Sequence, residues 1–394
     1  MRKVVFVTGT RADYGKIKAL IYTLNQSKEF EVYIYITGMH LLEEYGNTYK
    51  QVINDNVGFC YIEKDVRLCA NMDENLGNTT LAFSKYIHDI RPDFIVVHGD
   101  RIDALAGAMV GMLNNIRVVH IEGGELTGTV DDSIRHAISK MAHIHMTANE
   151  ETKSRLIQLG EAEDSIYIIG SPDIDIMLSD DLPDITTVKS GMGIEYSNYG
   201  IFIYHPVVTE VDRLEDYMNE IDEALIESDK NFVVVYPNND MGSDIILRHL
   251  DDIRGKISAV FFKSIPFENF LILLKNADFI MGNSSAGIRE ACIYGVPCIN
   301  LGTRQNRRFN TRILKNIISI QEKKDEIMSA LDKINMYRYV SFYYGHGNST
   351  TLFLNAMRRE ATYINPVKDN VQKSFIDSNE TKERIEQFIN EGCE

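Results

Sequence analysis

Residues 118–136 read VVHIEGGELTGTVDDSIRH, and the architecture follows from how that stretch divides. Arg117–Ile121 is a short apolar β-run that breaks into Gly123-Gly124, and Asp131-Asp132-Ser133 then opens a helix. A strand that ends in a glycine loop and feeds a helix is the joint of a parallel α/β sheet. Glu122, Glu125 and Asp131 all fall in this joint. Ligands of such sheets bind in the crevice beyond the carboxyl ends of the strands, so carboxylates released there point to chemistry. Asp132 reads as a helix cap. Glu122 leaves a buried strand directly onto a glycine pair that gives a substrate room to approach, and reads as functional.

The same rhythm extends upstream. Apolar runs at Val4–Val7, Val32–Ile36, Phe59–Ile62 and Phe94–Val97 alternate with helical patterns near Ile17–Leu24, Leu41–Ile53, Glu74–Ile90 and Ile102–Leu113. This predicts a parallel sheet covered on both faces. The first joint, Thr8-Gly-Thr-Arg-Ala-Asp-Tyr-Gly-Lys16, places Arg11 and Lys16 at a helix start, where backbone amides already favour phosphate. Its spacing matches neither GxGxxG nor GxxxxGK(S/T), so neither a dinucleotide-binding turn nor a P-loop is signalled. After Val97 comes His98-Gly-Asp-Arg101. Asp100 there reads either as a cap of the next helix or, one βα unit before Glu122, as part of a shared cleft. The helix opened at Asp131 is expected to reach about Ala142. His136, His143 and His145 follow a helix-to-strand path without the i, i+4 face of a zinc-binding helix, so they read as structural and no metal site is expected.

Gly170-Ser171-Pro172 and the polar stretch to Tyr199 predict a domain boundary. Strand-like runs then resume at Ile201–Tyr204, Phe232–Tyr236, Ala259–Phe262, Phe279–Met281 and Cys298–Ile299, with helical patterns between them. A second doubly wound domain is therefore expected. His205-Pro206, Pro237-Asn-Asn-Asp240 and Gly282-Asn-Ser-Ser285 stand at its strand ends, and the last opens a helix carrying Arg289 and Glu290, a second seat for an anion. The expected division is 1–172, 173–365 and a charged helical tail, 366–394, of the kind that crosses back onto a first domain.

Bulk properties narrow the function. A chain of 394 residues exceeds one ordinary core. The net charge of −16, with no basic run to offset it, excludes nucleic acid and anionic membrane surfaces as partners. An anionic ligand would need arginines concentrated locally, which singles out Gly302-Thr-Arg-Gln-Asn-Arg-Arg308. Five cysteines without a CxxC pair indicate buried, reduced thiols and a cytoplasmic setting. The opening MRKVVFVTG suits a first strand and is too short for a signal-peptide core. No apolar run is long enough to span a bilayer.

Taken as a set, Gly9–Lys16, His98–Arg101, His120–Glu125, Gly128–His136, His205-Pro206, Gly282–Ser285 and Gly302–Gln305 resemble the hydrolysing UDP-N-acetylglucosamine 2-epimerases. These are sialic-acid pathway enzymes that release N-acetylmannosamine and UDP. The resemblance runs in order from the start to about residue 310. It implies two Rossmann-like domains of the GT-B type with the active site in the interdomain cleft, no cofactor, and assembly as a homodimer or homotetramer. It also implies that Arg11, Lys16 and Arg304 hold the diphosphate with Ser284 and Ser285, that Glu290 takes the ribose hydroxyls and that Asn238 lines the nucleotide side. Phe267 and Phe270 are candidates for the uracil and equally for the core. Asp100, Glu122 and Asp131 would face the sugar with Arg101 nearby and Arg135 orienting them, and His205 would lie near the phosphate–sugar junction. Tyr344-Gly-His-Gly347 departs from the family's Tyr-Gly-Asp-Gly, so no role passes to His346, and the tail beyond 365 carries no resemblance.

That chemistry needs these residue types. The sugar C2 proton has no adjacent carbonyl; loss of UDP, either first or in concert, builds positive charge at C1 that lets a carboxylate remove that proton, giving 2-acetamidoglucal for hydration. The same motifs suit UDP-2,4-diacetamido-2,4,6-trideoxyglucose, the legionaminic-acid precursor. A GT-B glycosyltransferase would share the nucleotide seat but would need an acceptor, and a non-catalytic UDP-sugar sensor would not need so many strand-end carboxylates.

Overall fold

Runs of Val, Ile and Phe too short for helices become the strands of two parallel sheets in this computed structural model, which describes residues 1–43, 46–64, 71–127, 130–238, 240–306, 308–363 and 373–390. Gly128, Thr129, Asn239 and Arg307 of the motifs above, and residues 366–372 and 391–394 of the tail, lie outside the described residues. The chain forms two compact units, Met1–Asp175 with Gly345–Glu394, and Ile176–Tyr344.

The first unit runs β1 (Arg2–Thr8), α1 (Arg11–Gln26), β2 (Phe30–Ile36), α2 (Tyr49–Asn54), β3 (Phe59–Ile62), α3 (Met72–Ile90), β4 (Phe94–His98) and α4 (Ile102–Leu113). It continues with β5 (Arg117–Ile121), α5 (Val130–Met141), β6 (Ile144–Thr147), α6 (Glu150–Gln158) and β7 (Ile166–Ile168). The sheet order is β3-β2-β1-β4-β5-β6-β7, with every pairing parallel. The winding reverses between β1 and β4, and that switch point is where doubly wound sheets open a crevice.

After α7 (Asp173–Met177) and α8 (Ile185–Gly191), the second unit runs β8 (Gly200–Ile203), α9 (Leu214–Glu227), β9 (Asn231–Val235), α10 (Ser243–Ile253), β10 (Ser258–Phe262) and α11 (Phe267–Lys275). It ends with β11 (Phe279–Gly282), α12 (Ala286–Tyr294), β12 (Cys298–Leu301), β13 (Ile317–Ile320) and α13 (Lys324–Lys333). The order β10-β9-β8-β11-β12-β13, again parallel, reverses between β8 and β11.

The sequence expectation differs from the structure at three places. The helix expected over Leu41–Ile53 shrinks to α2, after a 3-10 turn at Gly38–Leu41, because Gly46 (φ 83°) and Asn47 (φ 50°) take left-handed conformations that interrupt it. The division expected at 365 lies at Gly345. Helix α14 (Ser349–Tyr363) buries Phe353, Ala356 and Met357 in the same cluster as Ile17, Leu20, Ile21 and Leu24 of α1, so it belongs to the first unit. Among the described cysteines Cys292 and Cys298 are buried, but Cys60 is exposed.

The tail returns to the first unit as well. Lys373 donates to the carbonyls of Ser139 (2.8 Å) and Lys140 (2.9 Å) and pairs with buried Glu161, and the Ile376 amide donates to the Gly160 carbonyl. An exposed helix, α15 (Asn379–Asn390), follows. Among the described residues no helix is long and apolar enough to cross a membrane.

Candidate active site

Two clusters of polar side chains sit at the carboxyl ends of the strands flanking the switch points, one in each unit. In the first unit the parallel register of β4 and β5 sets His98 opposite Ile121, which brings His98 beside Glu122. Glu122 is buried and takes a left-handed backbone (φ 61°), uncommon for a residue with a side chain. Its amide is anchored on the Met146 carbonyl at 2.9 Å. Lys16 Nζ lies 3.1 Å from Oε2 and 3.3 Å from Oε1, and the Ser171 hydroxyl donates to Oε1 at 2.5 Å. His98 Nε2 lies 3.2 Å from Oε2, at ion-pair distance but off the axis of a hydrogen bond.

On its other side His98 Nδ1 meets Asp13 Oδ1 at 2.8 Å. Burial alone would depress the His98 pKa, but Asp13 and Glu122 outweigh it and hold it up at about 9. Buried Asp173 lies 4.0 Å from the Lys16 ammonium. In the neighbouring joint buried Arg135 forms an ion pair with Asp100, reaches Asp132 at 3.5 Å and donates to the Glu125 carbonyl at 3.4 Å. Asp131 is half-buried in the first turn of α5.

Several expectations change here. Asp100 is not a cap: Arg101 holds the N-cap position of α4 without a side-chain bond, and the Asp100 carboxylate pairs with Arg135. Asp132 closes the loop by accepting from the Thr127 amide and hydroxyl, at 2.5 and 2.7 Å. Packing by itself already demands the glycine pair. A Cβ on Gly124 (φ 79°) would come 2.4 Å from the Thr152 carbonyl oxygen, and one on Gly123 would press on His120 and Ser139. Lys16 directs its charge to Glu122. Arg11 and Arg101 are exposed, Arg11 opening α1 and Arg101 donating to Met39 Sδ at 3.2 Å.

His120 and His145 are buried and structural. His120 lies between Ser139 Oγ and the Gly99 carbonyl, its pKa pushed down to about 3 by burial, and His145 contacts Glu161 at 3.0 Å. Among the described residues no group of His, Cys, Asp and Glu is arranged to hold a metal ion.

In the second unit fully buried Asn283, just past β11, organises the cluster. Its side chain accepts from the His205 amide (2.7 Å) and donates to the His205 carbonyl (2.8 Å). Its own carbonyl accepts from Arg304 (3.2 Å) and from buried Gln305 (2.8 Å). His205 Nδ1 accepts the Asn238 amide at 3.0 Å, so the neutral ring carries its proton on Nε2. Burial and then the Arg304 charge lower the His205 pKa to about 4. Burial and then Arg308 lower that of Arg304, and among the described residues no carboxylate lies within ion-pair distance of its guanidinium. The loop holding Arg304 turns at Gly302 (φ 66°), where a Cβ would meet the buried Glu322 carboxylate at 1.9 Å.

Ser284 and Ser285 are half-buried at the start of α12, and Glu290 is half-buried on it. Asn238 is half-buried after β9, with its side-chain amide on Asp240 at 2.5 Å. Phe267 and Phe270 are half-buried on α11.

Asp13, His98, Ser171, Asp173 and Asn283 join these clusters without having been singled out from the sequence. His98 and Asn283 were within quoted motifs and could have been found by asking what each strand end faces. Ser171 and Asp173 lie in a stretch that reads as a linker, and only the fold returns them to Glu122.

Two doubly wound parallel units with polar strand ends at each switch point define a GT-B-like α/β enzyme fold. A solved UDP-GlcNAc 2-epimerase from Neisseria meningitidis, bound to UDP-GlcNAc, matches it with a TM-score of 0.78 over 91% of this chain and 100% of that one, at 18% identity. The family model described as UDP-N-acetylglucosamine 2-epimerase matches residues 22–358, and the chain belongs to that enzyme family. It is 44% identical to a UDP-N-acetylglucosamine 2-epimerase of Neisseria meningitidis serogroup B, across 96% of this chain and 100% of that protein. It is 34% identical to the UDP-N,N'-diacetylbacillosamine 2-epimerase (hydrolyzing) of Legionella pneumophila, across 84% and 88%.

Proposed function

We propose that this enzyme is a hydrolysing 2-epimerase that converts UDP-N-acetylglucosamine and water to N-acetylmannosamine and UDP, within sialic-acid-type nonulosonate biosynthesis. The observation that carries the reading is the environment of Glu122, a buried carboxylate with an ammonium, an imidazole and a hydroxyl gathered on its two oxygens. Such a group stays ionised in a dry site and is held in one orientation, as a base acting on carbon requires.

The first step breaks the C1–O bond, and UDP leaves with the electron pair. Positive charge growing at C1 makes the C2 proton acidic. Glu122 takes that proton, and the C2–H electrons form the C1=C2 bond of 2-acetamidoglucal. Asp100, fixed by Arg135, and Asp131 stabilise the cationic transition state. Water then adds its oxygen to C1 and a proton reaches C2 from the face that gives the manno sugar.

In this reading the second unit takes the nucleotide. Arg304 and the Ser284–Ser285 helix start hold the diphosphate, Glu290 the ribose hydroxyls, and Asn238 lines the same side. His205, neutral with Nε2–H outward from its anchored Nδ1, donates to the departing phosphate oxygen. Arg11 and Arg101 add positive charge beside the sugar half. A cytoplasmic setting and a homodimer or homotetramer belong to the same proposal.

A second reading, UDP-2,4-diacetamido-2,4,6-trideoxyglucose as substrate, is favoured by the name of the Legionella relative. The test offers each sugar nucleotide separately, in deuterated water and without acceptor. UDP and free N-acetylmannosamine deuterated at C2 are the expected products. An epimer that keeps its UDP, or turnover only after an acceptor is added, overturns the hydrolysing reading.

A further inference from the structure

We propose that His98 is a positioning residue of the reaction: clamped between Asp13 and Glu122, it is the second cation that, with Lys16, keeps Glu122 ionised and aimed for the first proton transfer. The inference rests on the reading of Glu122 given above and deepens it by assigning the imidazole beside that carboxylate a charge state and a second partner, Asp13.

The geometry carries it. His98 ends β4 and is nearly enclosed, with 9% of its side chain exposed. Asp13, at the start of α1, fixes Nδ1 at 2.8 Å, and Asp13 is itself held by the Gly9 amide at 3.3 Å. With Nδ1 committed to a carboxylate, the ring can turn only Nε2 toward Glu122, 3.2 Å away. A neutral ring would present a lone pair to the carboxylate there, and two acceptors would face each other in a buried place. An imidazolium donates Nδ1–H to Asp13 and sets its positive ring at ion-pair distance from Glu122.

The surrounding charges agree with a cation. Lys16 on α1, Glu122 after β5 and Asp173 on α7 share this side. Asp13, Glu122 and Asp173 carry three negative charges against the positive charges of Lys16 and His98. Behind His98 stand groups that add no opposing cation. Burial holds Asp103 on α4 up at about 6, while His40 and His120 are pushed down to about 4 and 3 and stay neutral. Asp100 and Arg135 neutralise each other, and Arg101 is exposed.

Two cations make Glu122 a weak base, and the chemistry tolerates that. Once charge grows at C1 the C2 proton is acidic, so certain ionisation and orientation matter more than basicity. His98 supplies both without touching the sugar.

The test has two arms, so that its failure is separable from failure of the proposed reaction. In the ligand-free protein, NMR titration of the His98 ring is expected near pH 9 in the wild type and markedly lower in Glu122→Gln and in Asp13→Asn. This arm needs no substrate. In the second arm, His98→Gln should lower kcat by about 10- to 100-fold, with KM changed by no more than about threefold, and should move the acid limb of the kcat–pH profile upward. Added imidazole should restore part of the loss in His98→Ala. A His98 titration indifferent to both carboxylates overturns the inference whatever reaction the enzyme performs, as does a correctly folded His98→Gln enzyme with wild-type kcat and an unmoved acid limb.

Discussion

His98 and His205 stand at the carboxyl ends of strands beside the two switch points, and the protein holds them in opposite charge states. In the first unit two carboxylates flank His98 and hold its pKa up at about 9. In the second, His205 is buried beside Arg304 and its pKa falls to about 4. Both rings are nearly as enclosed, so burial does not separate them; the sign of the neighbouring charge does. The same contrast runs through each cluster. The first answers its carboxylates with Lys16, His98 and Arg135. The second carries Arg304, with no carboxylate at ion-pair distance among the described residues. A cluster rich in carboxylates held by its own cations is suited to acting on a neutral sugar, and one whose arginine has no carboxylate partner is suited to holding a diphosphate.

This contrast predicts that turnover and nucleotide affinity separate by unit. Glu122→Gln keeps the volume and removes the charge, and should lower kcat on the order of 10²-fold or more while UDP affinity by calorimetry stays close to wild type. Parallel losses of kcat and UDP affinity would erase the division of labour. Arg304→Ala should do the reverse, weakening UDP binding by roughly 1–3 kcal/mol, the usual worth of a charged hydrogen bond. Unchanged UDP affinity would remove Arg304 from the nucleotide seat.

How much of this could be read in the sequence depended on the distance over which each feature is encoded. Ile102–Leu113 was expected as a helix and forms with those bounds, because its apolar and small residues repeat at helical spacing within the segment. Glu122 could be picked out because a strand end followed by glycines is also a local signal. Ser171 carries no such mark: its contact with Glu122 spans 49 positions and exists only once β5 and β7 share a sheet. Helix α14 buries Phe353, Ala356 and Met357 against α1, a partner more than 300 positions away that nothing in its own residues names. The left-handed turn at Gly46–Asn47 shows the opposite failure, a helical pattern overruled by local backbone.

The smallest expected effect concerns stability, and it returns to the two histidines. A raised histidine pKa means that the folded state holds its proton more tightly than the unfolded chain. For His98 that stabilisation is complete below the unfolded value of about 6.5 and is lost as pH rises through about 9. A lowered pKa has the reverse sign. For His205, and for His40 and His120 in the first unit, stability is complete above about 6.5 and is lost as pH falls toward 4 and below. Between pH 6.5 and 8 the His98 effect is the cleaner one. The buried Lys373 ammonium, lowered to about 8, works in the opposite direction, but its folded form is only about half deprotonated at pH 8, which offsets the His98 loss by less than about 0.5 kcal/mol. Across this window His98 accounts for at most about 2 kcal/mol, which corresponds to a few degrees in Tm for a unit of this size. Calorimetric Tm should therefore decline gently from pH 6.5 to 8 in the wild type and stay level in His98→Gln, while both proteins lose stability alike below pH 6. A wild-type Tm that rises across that window, or a decline that survives the substitution, would mean that His98 is not the charged member of the pair.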